Sequence, residues 1–333
     1  MKGETTPARL GLGGGRGPAG LSPLAALVRL HDRDRYQTAL FAPAARREAL
    51  FALYAFNYEV ARIRESVTEP MLGQIRLQWW REAVAAAYAG EPPRAHIVAE
   101  PLTAAIRAHG LSRTLLDRLI DAREQDLADA APATLAALEE YADGTAATVV
   151  RLALQILGFD VAYPHPDAPP QAGEGADGAA PSPSSLPRWR GRAGMGVTAT
   201  ADAAHNVGIA YAIAGLLRAM AFHARAGRSY IPQDVAAETG LDLDDYARLR
   251  STPALRAATE RLAEAAAAHL RLARQRRREA RSAALPALLP TVVAETVLRR
   301  LRRADWNPFD PALAAPDPLL PWRLGAAMLR RRF

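Results

Sequence analysis

From Pro23 onward, apolar residues return every three or four positions, and the alternation of a half-buried strand is scarce. Alanine and leucine, both strong helix formers, dominate the repeating segments. The pattern predicts helices over residues 44–65, 71–89, 102–108, 112–128, 135–157, 198–225, 252–283, 288–303 and 311–329. Ser112 is placed to cap one helix start, and Gly90 and Gly158 to end two others. Two stretches break the run. Residues 1–22 carry GLGGGRGPAG without apolar periodicity and read as a disordered tail. Residues 160–196, rich in Pro, Gly, Ala and Ser, read as a flexible insertion in one domain spanning 23–333. The helices on both sides of it are too apolar to stand apart. The fold class that follows is all-α.

Composition narrows the chemistry. There is no cysteine, which excludes disulfides, thiolate metal sites and cysteine nucleophiles. Lys2 is the only lysine, so a phosphate-loop lysine and a Schiff-base lysine are excluded as well. The glycines of the tail follow no strand and open no βαβ unit, so they do not form a dinucleotide fingerprint. The N-terminus lacks an apolar signal core, and no apolar run reaches spanning length. The expected location is therefore cytoplasmic.

The formal net charge of +7 is unevenly placed. From Ser251 onward there are 16 Arg against 7 Asp plus Glu, an excess of nine, while residues 1–250 sum to minus two. The arginines cluster at 271–281, 299–303 and 330–332. Such clusters suit anionic lipid, nucleic acid or an acidic protein, but a solvated helix face is the favoured reading of any single cluster. No nucleic-acid partner is expected.

Histidines are scattered and no hydrolase or metalloprotease motif occurs, which leaves carboxylates on helices. Asp117, Asp121 and Glu124 share one face at i, i+4 and i+7. They could hold a hard cation, or form a solvated face neutralised by Arg113, Arg118 and Arg123. The adjacent Trp79 and Trp80 point about 100° apart and are expected in the core. Glu65 and Glu69 also stand four apart, but the run into Pro70 suggests that the helix ends there.

Four segments in this order, RREALFALYAFNYEVARIRE, LIDAREQDLAD, EEYADGTAATVVRLALQILG and AHNVGIAYAIAGLLRAMAFHARAGRSYIPQD, resemble the squalene/phytoene synthase superfamily. The resemblance implies an isoprenoid-synthase-like helical bundle with a central cavity. It also implies joining of two prenyl diphosphates with magnesium, held by an Asp-x-x-x-Asp pair on each of two facing helices. Here the first pair falls on Ala61, Arg62 and Glu65, and the second on Ala219 and His223, so only Glu65 keeps a carboxylate. Asp121, Asp126, Tyr141, Gly144, Ala146, Tyr230, Pro232 and Asp234 match other positions of the family. Tyr54, with Phe51, Phe56 and Tyr58, makes its helix aromatic on more than one face and is a further cavity candidate.

The run AFNYEVARIRESVTEPMLGQIRLQWWREAV is similar to the branch containing a mitochondrial complex I assembly factor, which also lacks the aspartate pairs. The resemblance therefore implies a non-catalytic helper, peripheral to the inner membrane, that assists assembly of NADH dehydrogenase and needs no cofactor. Two alternatives stand beside it. One is a magnesium-dependent prenyltransferase using Glu65, Asp121 and Asp126. The other is a module that binds an isoprenoid or lipid ligand without reaction. Glu65 and His223 are expected to face one another across one cavity.

Overall fold

Short polar side chains open several helices of this chain. Ser22 accepts a hydrogen bond from the Ala25 N–H at 3.1 Å and opens α1 (Pro23–His31), and Asp32 does the same for α2 (Arg33–Ala39). The computed structural model describes residues 20–128, 130–161, 188–277 and 282–331, the side chains of 188–198 excepted. The helices that follow are α3 (Ala44–Ala61), α4 (Pro70–Tyr88), α5 (Ala99–His109), α6 (Arg113–Glu124), α7 (Leu135–Ala142) and α8 (Thr148–Ile156). The second half holds α9 (Arg188–Arg218), α10 (Met220–Arg225), α11 (Gln233–Thr239), α12 (Leu243–Ala247), α13 (Pro253–Gln275), α14 (Leu285–Leu288), α15 (Pro290–Arg303), α16 (Pro311–Ala314) and α17 (Leu320–Leu329). No strand occurs among the described residues.

Two hydrophobic clusters share α9. The first gathers α1, α3, α4, α5, α6 and α8 around Leu53, Phe56, Leu77, Leu115, Leu116, Leu119 and Leu152. The second joins α7 and the C-terminal half of α9 to α11, α13 and α15 through Leu138, Ile213, Leu217, Leu255 and Leu262. A third, smaller cluster seats α17 on α15 through Leu289, Val293, Leu320 and Leu324. Trp80 lies in the first cluster, edge-on to Phe56 with ring centroids 5.1 Å apart. Trp79 is only partly buried and carries Arg94 over its ring.

Several boundaries differ from the sequence expectation. The helix from 44 ends at Ala61, and Glu65 sits on the 3₁₀ turn Arg64–Ser66 that follows. The expected helix 135–157 contains a π-helical segment, Asp143–Ala147, between α7 and α8. The helix expected from 198 already begins at Arg188, so the end of the expected flexible insertion is helical. The rest of that insertion from 162 to 187, and the tail from 1 to 19, lie outside the described residues. No single helix among the described residues is long and apolar enough to cross a membrane.

Candidate functional site: paired charges in a polar cleft

Helices α1, α2, α15 and α16 and the C-terminal end of α9 enclose a cleft of about 520 Å³. Its wall includes Asp32, Asp34, Arg35, Tyr211, Arg218, Ala219, Arg300 and Asp317. Asp32 caps α2 and also holds the Arg35 guanidinium at 2.7 Å. Arg35 is buried and lies over the Tyr211 ring at 4.9 Å and the Tyr54 ring at 5.9 Å. Burial opposes its charge, but Asp32 more than compensates, and the guanidinium stays ionised. Burial also pushes the Tyr54 hydroxyl up to about 12, so it stays protonated. Arg218 reaches Asp34 at 2.8 Å, and Asp317 takes Arg323 at 2.5 Å with Arg300 nearby at 3.9 Å. Each carboxylate in the cleft wall is thus committed to an arginine.

Magnesium binding needs several anionic oxygens converging on one point. Among the described residues no group of three or more His, Asp or Glu converges that way. Ala219 lines the cleft without a ligand atom. Ala61 closes α3, and Arg62 turns out to solvent, paired with Glu59 at 3.2 Å. The residues at the family's clamp positions do not fit a magnesium–diphosphate complex.

A second cluster lies where α6 runs into the 3₁₀ turn Gln125–Leu127. Asp126 is only 8% exposed. Its Oδ1 accepts hydrogen bonds from the Tyr141 hydroxyl at 2.8 Å and the Tyr230 hydroxyl at 2.9 Å, and Arg123 donates to its Oδ2 at 3.2 Å. Burial, and then the Asp126 charge, push the Tyr230 hydroxyl well above its ordinary range. The His223 ring packs on Tyr230 with centroids 4.8 Å apart, and its buried Nδ1 has no hydrogen-bond partner. The space beside His223, walled by Leu138, Leu217, Met220 and Leu262, is only about 10 Å³. His223 is packed among side chains, with no room for a ligand.

Burial, reinforced by Arg228, lowers His223 from 6.5 to about 4, although Asp126 opposes this. Between those values the unfolded chain binds more protons than the folded one, so stability falls as the pH drops through that window. The expected loss is up to about 3 kcal/mol. His223→Phe should flatten the dependence between pH 6.5 and 4, read from denaturant unfolding at several pH values. An unchanged slope would place the titrating group elsewhere.

The remaining candidates divide. Asp234 ties two helices together: its carboxylate accepts from the Val235 N–H at 2.7 Å and from the Leu135 N–H at 3.1 Å. Asp121 is exposed and shares Arg81 with Glu124, at 2.8 and 2.7 Å. The α6 acidic stripe is therefore a neutralised surface, but its partner comes from α4. Of the arginines expected beside it, only Arg113 pairs there, with Asp117 at 3.3 Å, while Arg118 and Arg123 turn inward. Glu65 is exposed and is absent from the wall around His223, so the expected pairing of Glu65 and His223 across one cavity does not form. The reason is local: α3 stops at Ala61, before Glu65 can continue its inner face.

Sequence reasoning missed a third network. Asp143 opens the π segment and is buried. Its carboxylate meets Arg118 at 2.9 Å, Arg151 at 2.8 Å and His205 Nδ1 at 2.6 Å. Burial pushes the Asp143 carboxyl up, but the His205 hydrogen bond and the Arg151 charge outweigh it and hold the group well below the usual carboxylate range. The sequence carried no local signal for it: the π segment, a feature that often marks a functional position, shows only in the fold.

Comparison with known proteins agrees with this architecture. The chain is 31% identical over 307 residues to mouse NADH dehydrogenase (ubiquinone) complex I, assembly factor 6, covering 92% of this chain and 81% of the relative. It is 29% identical over 229 residues to presqualene diphosphate synthase of Rhodopseudomonas palustris, covering 68% of each. The crystal structure of squalene synthase HpnC from Alicyclobacillus acidocaldarius superposes with a TM-score of 0.66 at 22% identity, covering 86% of this chain and 94% of that one. The family model described as squalene/phytoene synthase matches residues 28–325. With the helical architecture and a match over nearly its whole length, the chain belongs to the squalene/phytoene synthase family.

Proposed function

We propose that this chain is a non-catalytic family member that assists assembly of NADH dehydrogenase (complex I), cytoplasmic and peripheral to the inner membrane. One observation carries the reading: of the residues at the family's clamp positions only Glu65 keeps a carboxylate, and in the cleft beside Ala219 every wall carboxylate is held by an arginine. A diphosphate leaving group needs cations between it and the protein's carboxylates, and here those carboxylates are occupied. The similarity to an assembly factor over 92% of the chain supports the functional half of the proposal.

Two experiments test it. Deleting the gene should lower assembled complex I and its NADH-oxidising activity, and both wild type and Glu65→Ala should restore them. Incubated with farnesyl diphosphate and magnesium, the pure protein should release no pyrophosphate. Sustained magnesium-dependent release abolished by Glu65→Ala would overturn the non-catalytic reading in favour of the prenyltransferase alternative; the bacterial relative is named a presqualene diphosphate synthase. The binding-module reading has its own support in an apolar groove of about 750 Å³ between α1, α3 and α5, lined by Leu24, Ala49, Ile97, Ala104 and Ala108. Isoprenoid or lipid copurifying with the protein, identified by mass spectrometry, would favour that reading.

A further inference from the structure

Helix α17 is apolar on two sides. Leu320 and Leu324 point inward and are buried against α15. Leu319, Trp322, Ala326 and Leu329 fall at i, i+3, i+7 and i+10, which places them along one stripe of the helix. That stripe faces out: Trp322 is 79% exposed and Leu329 is 88% exposed, with Leu319 exposed between the helix and the preceding turn. A soluble surface helix normally keeps this face polar.

The surroundings of the stripe are mainly cationic, with Asp317 paired to Arg323 at its N-terminal end. Residues 318–331 contain Arg323, Arg330 and Arg331 and no carboxylate. Beside Pro321, a recess of about 430 Å³ is lined by Arg29, Arg33, Tyr36, Leu40 and Phe41. Arg29, Arg33, Arg330 and Arg331 are exposed and form no ion pair among the described residues. On the adjoining α15, Arg299 lies within electrostatic reach of Arg303 and of Arg323 of α17, with Asp317 also near. An exposed tryptophan and leucines ringed by arginines form the composition of a helix that lies in a bilayer interface. A protein partner able to neutralise that ring would have to supply several carboxylates, whereas an anionic bilayer presents phosphates over its whole surface.

We propose that the outer face of α17, with the Arg29/Arg33 recess beside it, is the surface through which the protein lies on an anionic lipid bilayer. Trp322, Leu319 and Leu329 enter the boundary between headgroups and acyl chains. Arg29, Arg33, Arg330 and Arg331 meet the lipid phosphates. The inference rests on the membrane-peripheral reading above and narrows it: the attachment is hydrophobic as well as electrostatic, and it uses the α17 end of the molecule rather than the arginines at the end of α13.

The test uses full-length protein and vesicles of phosphatidylcholine with about a third phosphatidylglycerol, compared with pure phosphatidylcholine. Wild type should co-sediment with the anionic vesicles and retain part of that binding in high salt. The double variant Trp322→Asp/Leu329→Asp should lose at least about tenfold in partitioning, because two apolar anchors are removed. Both positions are almost fully exposed, so its melting temperature should match wild type. The quadruple change of Arg29, Arg33, Arg330 and Arg331 to Gln should lose binding at low salt only. Arg276→Gln/Arg277→Gln should bind like wild type. If the Trp322/Leu329 variant binds vesicles as wild type does, the proposal is wrong. It is equally wrong if neither protein binds vesicles and wild type is a dimer that this variant dissociates, for the face then belongs to a second copy. Complex I levels in the deletion strain report on the assembly role independently of the vesicle result.

Discussion

Asp143→Ala is expected to destabilise the protein by about 3–5 kcal/mol at pH 7. The carboxylate is 7% exposed and is met within 3 Å by Arg118, Arg151 and His205, which come from three different helices. Its removal takes from Arg118, partly buried, and Arg151, buried, the carboxylate they share, and it opens a small void. Total stabilities of single domains are about 5–15 kcal/mol, so the variant should fold marginally at best. Asp143→Asn keeps the volume and part of the hydrogen bonding, and should cost less. The pH dependence follows from the depressed carboxyl. The stability it contributes is complete above the unfolded carboxyl's range, near pH 4, and is lost as pH falls further. Denaturant unfolding of wild type should therefore show an acid limb below about pH 4 that Asp143→Asn lacks. A variant within about 1 kcal/mol of wild type at pH 7 would mean that the network contributes little.

The contrast between this network and the rest of the chain shows what the sequence discloses. Helices such as α4, α6 and α15 are visible because burial of one face repeats at the helical period, and that period survives in the linear order of residues. The direction taken by a long charged side chain does not. Arg113, Arg118 and Arg123 look alike along α6, yet Arg113 stays at the surface with Asp117 while the other two reach inward to Asp143 and Asp126. Only the arrival of α7 and the π segment decides this: Arg118 meets Asp143 across 25 residues, which no local pattern records, while Arg123 turns to Asp126 only three residues on. The same holds for Asp32 and Asp34. Each sits at the start of α2, where a helix cap alone would explain it, and the second partner of the cleft, Arg218, lies far along the chain.

The candidate residues separate along the same line. Asp126, Tyr230 and His223 meet, because they fill the interior and their packing is part of the fold. Glu65 does not join the wall around His223, because α3 ends at Ala61 and leaves Glu65 exposed on the turn beyond it. In this chain the charges that line the cleft are internally neutralised. Such an arrangement contributes to holding α2, α9 and α15 in register, and it leaves little net field for a polyanionic substrate.

Gly208→Val is expected to be the most disruptive single change in the helical core. Gly208 lies on α9 where the helix crosses the π segment, and the space a side chain would need is already occupied by the backbone of Ala147. A Cβ at this position would stand 2.5 Å from both the nitrogen and the Cβ of Ala147, and closer still to its Cα. Real Cβ atoms do not approach so near, and a backbone cannot swing aside as a flexible side chain can. Even Gly208→Ala must push α9 away from the π segment, against its gain in helix propensity of about 1 kcal/mol. Overpacking of this kind costs about 1–3 kcal/mol and more where backbone must move. Alanine should therefore destabilise by about 2–3 kcal/mol, and valine by enough that little soluble protein accumulates. Gly215, seven residues further along α9, is the internal control: a Cβ there meets nothing within 4 Å. Gly215→Ala should leave the melting temperature unchanged or raise it slightly through the propensity gain. Equal melting temperatures for Gly208→Ala and Gly215→Ala would show that α9 and the π segment do not cross as closely as described.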